Sequence, residues 1–207
     1  MSDEAHFHLN SMVNQQNCRY WANENPQQLH ERPLHSPKVT VWCAVSQTCV
    51  IGPYFFEDGN GRAVTVNSER YVEMITNFFL PELRRRLVPI RCVWFQHDGA
   101  TAHTARASID IIRPRFPGRL ISRFGDVHWP PRSPDLSICD FFLWGHLKAR
   151  VYEKKPRTLD ELKDAIHVEV AQVERAMLER VYTNFQERLQ QCINDFGHPM
   201  PDVILHT

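Results

Sequence analysis

The sequence predicts a mixed α/β fold, in which a sheet is flanked by helices and followed by further helices at the carboxyl end. Segments that alternate apolar and polar residues, or that are rich in β-branched and aromatic residues, predict the strands. Segments with apolar residues at helical spacing lie between and after them. With 207 residues, 43% of them hydrophobic, the chain is long enough for one domain with a substantial core.

Three strands are expected in the first half of the chain. Residues 3–9 alternate between two faces, and only two residues precede Asp3, so we expect the beginning of this strand to be missing. Residues 39–46 and 49–57 predict an antiparallel hairpin. The polar and proline-containing residues 10–38 predict a long irregular loop before that hairpin.

A further strand, residues 93–98, ends on an acid. Gly99 is expected to let the backbone turn sharply after Asp98. Because open sheets bind ligands at the carboxyl ends of their strands, Asp98 is a candidate functional residue. A plain turn aspartate is the alternative interpretation, and the neighbouring His97 and His103 are interpreted as structural.

Helices are expected on either side of this strand. Residues 67–86 carry apolar side chains at helical spacing. Thr101 or Thr104 is expected to cap a helix that ends near Arg113. Residues 120–123 then predict a short edge strand.

The remainder of the chain is predicted to be helical. Ser137 is expected to begin a helix that ends before Pro156. Thr158 and Glu161 match a capping box, which begins an amphipathic stretch. A second helical pattern follows, and the sequence leaves open whether the two stretches are one helix or two.

Charge is distributed unevenly along a chain whose net charge is zero. Between residues 101 and 157, eleven basic residues stand against five acids, whereas four basic residues face nine acids from residue 158 onward. The excess of basic residues in the middle of the chain indicates a surface that could bind a polyanion. The excess of acids at its end is typical of solvent-exposed helix faces. We therefore expect a core of residues 1–157 and a carboxy-terminal helical extension of residues 158–207 packed on it.

Composition favours a soluble intracellular protein with no membrane partner, and no small-molecule substrate is expected. Every apolar run falls short of the roughly 20 residues of a membrane span, and the first residues are acidic where a signal peptide would be basic and then apolar. The six cysteines form no CxxC pair, which favours reduced, mostly packed thiols.

Asp140 is the second acid of interest, because it shares a helical side with Leu143 and Leu147, the side expected to face the sheet. The alternative is a capping role, since Ser137 and Asp140 have capping-box spacing and an acid in a first helical turn gains about 0.3 to 1 kcal/mol from the helix dipole. Asp135 is interpreted as a turn residue.

If Asp3, Asp98 and Asp140 converge, their negative charges repel by about 1 to 4 kcal/mol per pair. Divalent cations would relieve this repulsion, and hard carboxylate oxygens select Mg²⁺ or Mn²⁺. Two such ions about 4 Å apart can activate water or a 3′-hydroxyl and stabilise the leaving oxygen of a phosphodiester. The expected chemistry is phosphoryl transfer on nucleic acid.

Three blocks of the sequence, in order, resemble the catalytic blocks of mariner-type (Tc/mariner superfamily) transposases: MSDEAHFHLN, WFQHDGATAHTA and WPPRSPDLSICDFFLWGHLK. The resemblance implies a ribonuclease-H-like fold and an acidic triad that cuts DNA at transposon ends and joins it to a target. Matched to the motifs, the triad is Asp3, Asp98 and Asp140, holding two Mg²⁺ or Mn²⁺ ions. It also implies a nuclear protein.

The resemblance has further implications for partners. Arg132, Lys148 and Arg150 would contact DNA phosphates, and residues 10–38 would reach a second subunit of a homodimer in the full-length protein. The amino-terminal helix-turn-helix region of the family is absent, so we expect the chain to be a fragment of a longer protein. Gly99 stands where many relatives have Asn, and the 41 residues between the second and third acids exceed the usual gap.

Three other functions stay open at this stage. The chain could be a catalytically inactive, transposon-derived remnant that binds nucleic acid through its basic middle. It could be a defective gene fragment without a cellular role. A different ribonuclease-H-like nuclease is the third, although the third block is specific to the transposase resemblance.

Overall fold

The computed structural model describes residues 1–10, 37–130 and 133–197. The strands are β1 (Ser2–His8), β2 (Lys38–Val45), β3 (Val50–Phe55), β4 (Phe95–Gln96), β5 (Leu120–Ser122) and β6 (Val127–His128). The α-helices are α1 (Ser68–Met74), α2 (Leu80–Arg85), α3 (Thr101–Thr104), α4 (Arg106–Ile112), α5 (Trp144–Glu153), α6 (Leu159–Ala171) and α7 (Arg175–Asn194). The mixed α/β class predicted from the sequence is confirmed.

The described strands form two three-stranded sheets. One is antiparallel, in the order β1-β2-β3, and its register places Asp3 opposite Cys43. The other is parallel, in the order β4-β5-β6. The Ser2 hydroxyl donates a hydrogen bond to the Gln96 carbonyl, 3.4 Å away, and so links the two sheets. The hairpin is confirmed, but β5 is the central strand of its sheet, so the prediction of an edge strand is wrong.

Helices cover both faces of the antiparallel sheet. Alternate residues of a strand point to opposite faces, and β2 contributes Val41 and Cys43 to one apolar cluster and Trp42 and Ala44 to another. The first cluster includes residues of α5, α6 and α7, and the second includes residues of α1, α2 and α4. The sheet is therefore a buried middle layer, and its ends are the places where polar side chains can reach solvent.

The helix predicted over residues 67–86 is confirmed, with one irregularity. Asn67 caps it, because its side-chain oxygen accepts a hydrogen bond from the Arg70 amide at 2.9 Å. A π-helical turn, Ile75–Phe79, separates α1 from α2. A second π-helical turn, Cys139–Leu143, leads into α5, and the continuous helical stretch begins just after Ser137 and ends before Pro156, as predicted.

The capping prediction for the segment after β4 is wrong. Neither Thr101 nor Thr104 is an N-cap: α3 begins after Ala100, and a break at Ala105 separates it from α4. The Thr104 hydroxyl instead donates to the Ala100 carbonyl at 3.0 Å. A Thr hydroxyl that bonds back within its own turn is not available to cap the next helix.

The two carboxy-terminal stretches are separate helices, α6 and α7. At the start of α6 the Thr158 hydroxyl accepts a hydrogen bond from the Glu161 amide at 3.1 Å, and the Glu161 carboxylate accepts one from the Arg157 amide at 2.7 Å. The capping box is thus confirmed in its first half, with Arg157 as the reciprocal donor. No helix in the described ranges is long and apolar enough to cross a membrane.

The cysteines of the described residues are free thiols, and Cys43 and Cys139 are buried in the core.

Candidate active site

The three candidate acids lie on three different elements. Asp3 is on β1, Asp98 follows the end of β4, and Asp140 is in the π-helical turn before α5. Asp3 is partly buried, whereas the side chain of Asp98 is 47% exposed and Asp140 is an exposed residue. Long-range folding therefore brings two strands and a helix start to one region, as the sequence predicts for a strand-end site.

Electrostatic effects link Asp140 to each of the other two candidate acids. Burial raises the pKa of Asp3 to about 8, and the negative charges of Asp140 and Glu4 add to the rise. Burial also raises the pKa of Asp140, with a smaller contribution from the charge of Asp98. Asp140 thus senses both other carboxylates, which is the like-charge repulsion expected of converging acids.

The acids do not form a preformed metal cage. Within the described ranges, no three His, Cys, Asp or Glu side chains stand close enough together to hold an ion. In the same part of the chain, no Lys, Arg or His forms an ion pair with Asp3 or Asp140. Asp3 and Asp140 thus have hydrogen bonds but no cationic partner among these residues, whereas Asp98 is paired with His103.

Trp144 fixes the carboxylate of Asp3. Its indole Nε1 donates a hydrogen bond to Asp3 Oδ2 at 2.8 Å, and this bond opposes the rise in the pKa of Asp3. The indole is only 6% exposed and meets the ring of Phe7 edge-on, with ring centroids 6.4 Å apart. The first residue of α5 therefore holds one of the candidate ligands in place by a direct hydrogen bond.

His103 fixes the carboxylate of Asp98. Its Nδ1 lies 2.5 Å from Asp98 Oδ1, and its Nε2 lies 2.9 Å from Glu4 Oε1. Burial disfavours the charged imidazole, but the charges of Glu4 and Asp98 and their hydrogen bonds outweigh it and raise the pKa of His103 to about 10. Conversely, despite partial burial, His103 lowers the pKa of Asp98.

The structural interpretation of His97 agrees with its surroundings. It is fully buried, its Nδ1 lies 3.1 Å from the Tyr71 hydroxyl, and its Nε2 lies 2.7 Å from the Ser122 hydroxyl. Burial first, and then the charge of His103, lower the pKa of His97 to about 3. His97 is therefore a neutral ring that joins the end of β4 to α1 and β5. The interpretation of His103 as structural, by contrast, misses its contact with Asp98.

The surroundings of Gly99 and Asp140 differ from what the sequence predicts. The chain bends at Gly99, as predicted, but Gly99 does not adopt a left-handed backbone and a Cβ atom there would meet nothing within 4 Å, so the bend does not require glycine. The side chains of Ser137 and Asp140 are hydrogen-bonded to each other, which differs from the side-chain-to-backbone bonds of a capping box, and this helical turn has no side-chain cap. The capping alternative for Asp140 is therefore not supported, and Asp140 is an exposed residue.

The three basic residues expected to contact DNA have different positions. Arg132 lies outside the described residues. Lys148 stands over the ring of Phe7, 5.6 Å from its centroid, and burial lowers its pKa. Arg150 is half-exposed and lies 3.6 Å from the buried carboxylate of Glu169. DNA contact by these residues stays a prediction.

Comparison with known proteins identifies the fold. No family model and no curated protein sequence matches the chain. Solved structures do match it. A Mos1 mariner paired-end complex with Mn is 23% identical, with a TM-score of 0.73, over 97% of this chain and 56% of that one. A Mos1 strand transfer complex is 24% identical, with a TM-score of 0.69, over 97% and 55%.

A third match is confined to a catalytic domain. The structure of the Mos1 transposase catalytic domain with raltegravir and Mg is 23% identical, with a TM-score of 0.66, over 79% of this chain and 78% of that one. By contrast, the chain spans little more than half the length of the proteins in the two complexes with high coverage of this chain. The chain therefore has the fold of the Mos1 transposase catalytic domain.

Proposed function

We propose that this chain is the catalytic domain of a mariner-type transposase, a metal-dependent enzyme that cuts DNA at transposon ends and joins it to a target. The observation that carries the proposal is the electrostatic coupling of Asp140 to both Asp3 and Asp98 on a fold matched to Mos1. The three acids come from the three sequence blocks that resemble the catalytic blocks of that family.

The donor set fits a hard divalent cation. Asp3, Asp98 and Asp140 offer only carboxylate oxygens, which Mg²⁺ and Mn²⁺ prefer. Raised pKa values at Asp3 and Asp140 show that uncompensated negative charge is costly there, and a cation would lower that cost. We infer that these residues hold two ions, which supply activation of water or a 3′-hydroxyl and stabilisation of the leaving oxygen.

The residues of the chain have distinct parts in this reaction. Asp98 is half-exposed at a strand end, so its free oxygen can face substrate and cation together. Asp3 is held by Trp144 at the base of the site, and Asp140 lies at its solvent edge. Two ligands of fixed direction and one exposed ligand would orient a DNA phosphate that approaches from solvent.

Further parts of the proposal concern partners and location. The similar structures include a Mos1 paired-end complex with a transposon end and a Mos1 strand transfer complex. We propose the same DNA class here, with a homodimer of the full-length protein in the nucleus. Lys148, Arg150 and Arg132 are the proposed phosphate contacts. The boundary at residue 157 also stays a prediction. Helices α6 and α7 share an apolar cluster with β1 and β2, which supports a carboxy-terminal extension packed on the core.

Nicking of supercoiled plasmid tests the function. The chain is incubated with plasmid and Mn²⁺, beside an Asp98→Ala variant and a sample with EDTA. We expect nicked circles that depend on Mn²⁺ and are lost in the variant. Salt-sensitive plasmid binding by both proteins without nicking would instead support a DNA-binding remnant and contradict the proposed enzyme.

A further inference from the structure

A buried histidine joins two acids of different sheets beside the proposed cation site. His103 is 1% exposed, and its two ring nitrogens face Asp98 after β4 and Glu4 on β1. The acid Glu4 is itself mostly buried, with 13% of its side chain exposed. Because ionised carboxylates only accept hydrogen bonds, both ring nitrogens must donate for both contacts to be made.

The ring has little freedom to rotate. It stacks on His97, with centroids 5.3 Å apart and ring planes within 8° of parallel, and lies 4.4 Å from the ring of Tyr71. Tyr71 is itself fully buried. Glu4 then fixes the far nitrogen, so the near nitrogen points at Asp98 in one direction.

One oxygen of Asp98 is committed by this arrangement and the other is left open. Oδ1 accepts hydrogen bonds from His103 Nδ1 and from the Ala100 amide, 3.0 Å away. No residue in the described part of the chain donates to Oδ2, and the side chain is 47% exposed. The carboxylate is therefore held through Oδ1, and Oδ2 has no hydrogen-bond donor among the described residues.

We propose that His103 is a positioning residue, clamped by Glu4, that holds the Asp98 carboxylate in the orientation needed to bind a divalent cation through Oδ2. This inference rests on the proposed function, since it assigns a task to residues around the same site. Glu4 and His103 would then form an outer layer that supports the ligands Asp3, Asp98 and Asp140.

Core stability does not explain the cluster as well. Burying charged groups carries a desolvation cost that their attraction often fails to offset, and well-packed apolar residues are frequently as stable or more so. An orienting role does explain it, because outer hydrogen bonds to metal-binding side chains typically change metal affinity or activity about 10- to 100-fold.

Mn²⁺ binding measured without DNA tests the proposal. Free Mn²⁺ is counted by electron paramagnetic resonance during titration of the wild type, His103→Ala, His103→Asn and Glu4→Gln. We expect His103→Ala to weaken Mn²⁺ binding about tenfold or more. His103→Asn keeps a side-chain amide near the Nδ1 position and should recover most of that loss, and Glu4→Gln should fall between the wild type and His103→Ala.

Controls separate orientation from folding. His128→Asn changes an exposed histidine outside the site and should bind Mn²⁺ as the wild type does. Circular dichroism reports whether each variant is folded; if His103→Ala is not, the comparison of His103→Asn and Glu4→Gln with the wild type decides. Wild-type affinity in every folded variant would overturn the positioning role and leave the proposed function standing. Absence of Mn²⁺ binding by the wild type would contradict the proposed function itself.

Discussion

Loss of the indole donor of Trp144 should weaken both the fold and the site. Trp144→Phe keeps an aromatic ring against Phe7 but removes the 2.8 Å hydrogen bond to Asp3 Oδ2. A hydrogen bond to a charged group contributes about 1.5 to 3 kcal/mol, and the smaller ring gives up roughly 1 kcal/mol of apolar burial. At a pH of about 9, where Asp3 is ionised, we therefore expect the free energy of unfolding to fall by about 2.5 to 4 kcal/mol.

A double-mutant cycle isolates the hydrogen bond from the lost ring area. Urea unfolding is measured for the wild type, Trp144→Phe, Asp3→Ala and the double variant, in EDTA at a pH of about 9, above the raised pKa of Asp3. We expect a coupling energy of about 1.5 to 3 kcal/mol. A coupling near zero, with the four proteins folded, would refute the claim that Trp144 holds the Asp3 carboxylate.

Three further changes have defined outcomes. The pKa of Asp3 in the folded protein is about 8, above its ordinary 3.8, so the metal-free wild type should lose stability as pH rises between those values. Asp3→Asn should remove about 3 kcal/mol of this loss between pH of about 5.5 and 8.5, measured by urea unfolding. An unchanged pH dependence in the variant would contradict the raised pKa. Thr158→Ala removes the acceptor for the Glu161 amide and should cost about 1 kcal/mol, or about 2 to 4 °C in Tm, whereas Thr158→Ser should restore it. Lys154 lowers the pKa of Glu169, so Glu169→Gln should lower the free energy of unfolding by about 2 kcal/mol at neutral pH, and this difference should shrink below pH of about 4.5. A difference that calorimetry finds to be independent of pH would exclude the ion pair as its cause.

Elements with local signals could be predicted from the sequence. The alternation of residues 3–9 correctly separated Asp3 from Glu4, because side chains of a strand point alternately to its two faces. The Thr158 cap was also predictable, since both partners lie within one turn of the chain. These features depend on residues only a few positions apart.

Features that depend on distant partners could not be predicted. Glu4 and His103 are 99 residues apart, and Asp3 and Trp144 are 141 apart, so no spacing rule joins them. The central place of β5 depends on parallel partners on both of its sides, which its own few residues do not encode. The position of Asp98 at the end of a strand could be predicted from the sequence, but only the fold shows that His103 contacts its carboxylate.

Glycine at position 99 shows a different limit of sequence reasoning. A glycine after a strand usually indicates a backbone that other residues adopt with difficulty, yet Gly99 has an ordinary backbone and open space around it. Asn, which is common here in the family that the sequence blocks resemble, should therefore fit without strain. The glycine at this position does not by itself weaken the candidate site.

Anomalous diffraction from crystals soaked in MnCl₂ tests directly whether the three acids bind a divalent cation. We expect anomalous peaks bordered by carboxylate oxygens of Asp3, Asp98 and Asp140, with Asp98 binding through Oδ2 while Oδ1 stays hydrogen-bonded to His103. Asp98→Ala crystals soaked in the same way should lose these peaks. A fully soaked wild-type crystal with no peak at the three acids, or with Mn²⁺ bound elsewhere, would contradict the account.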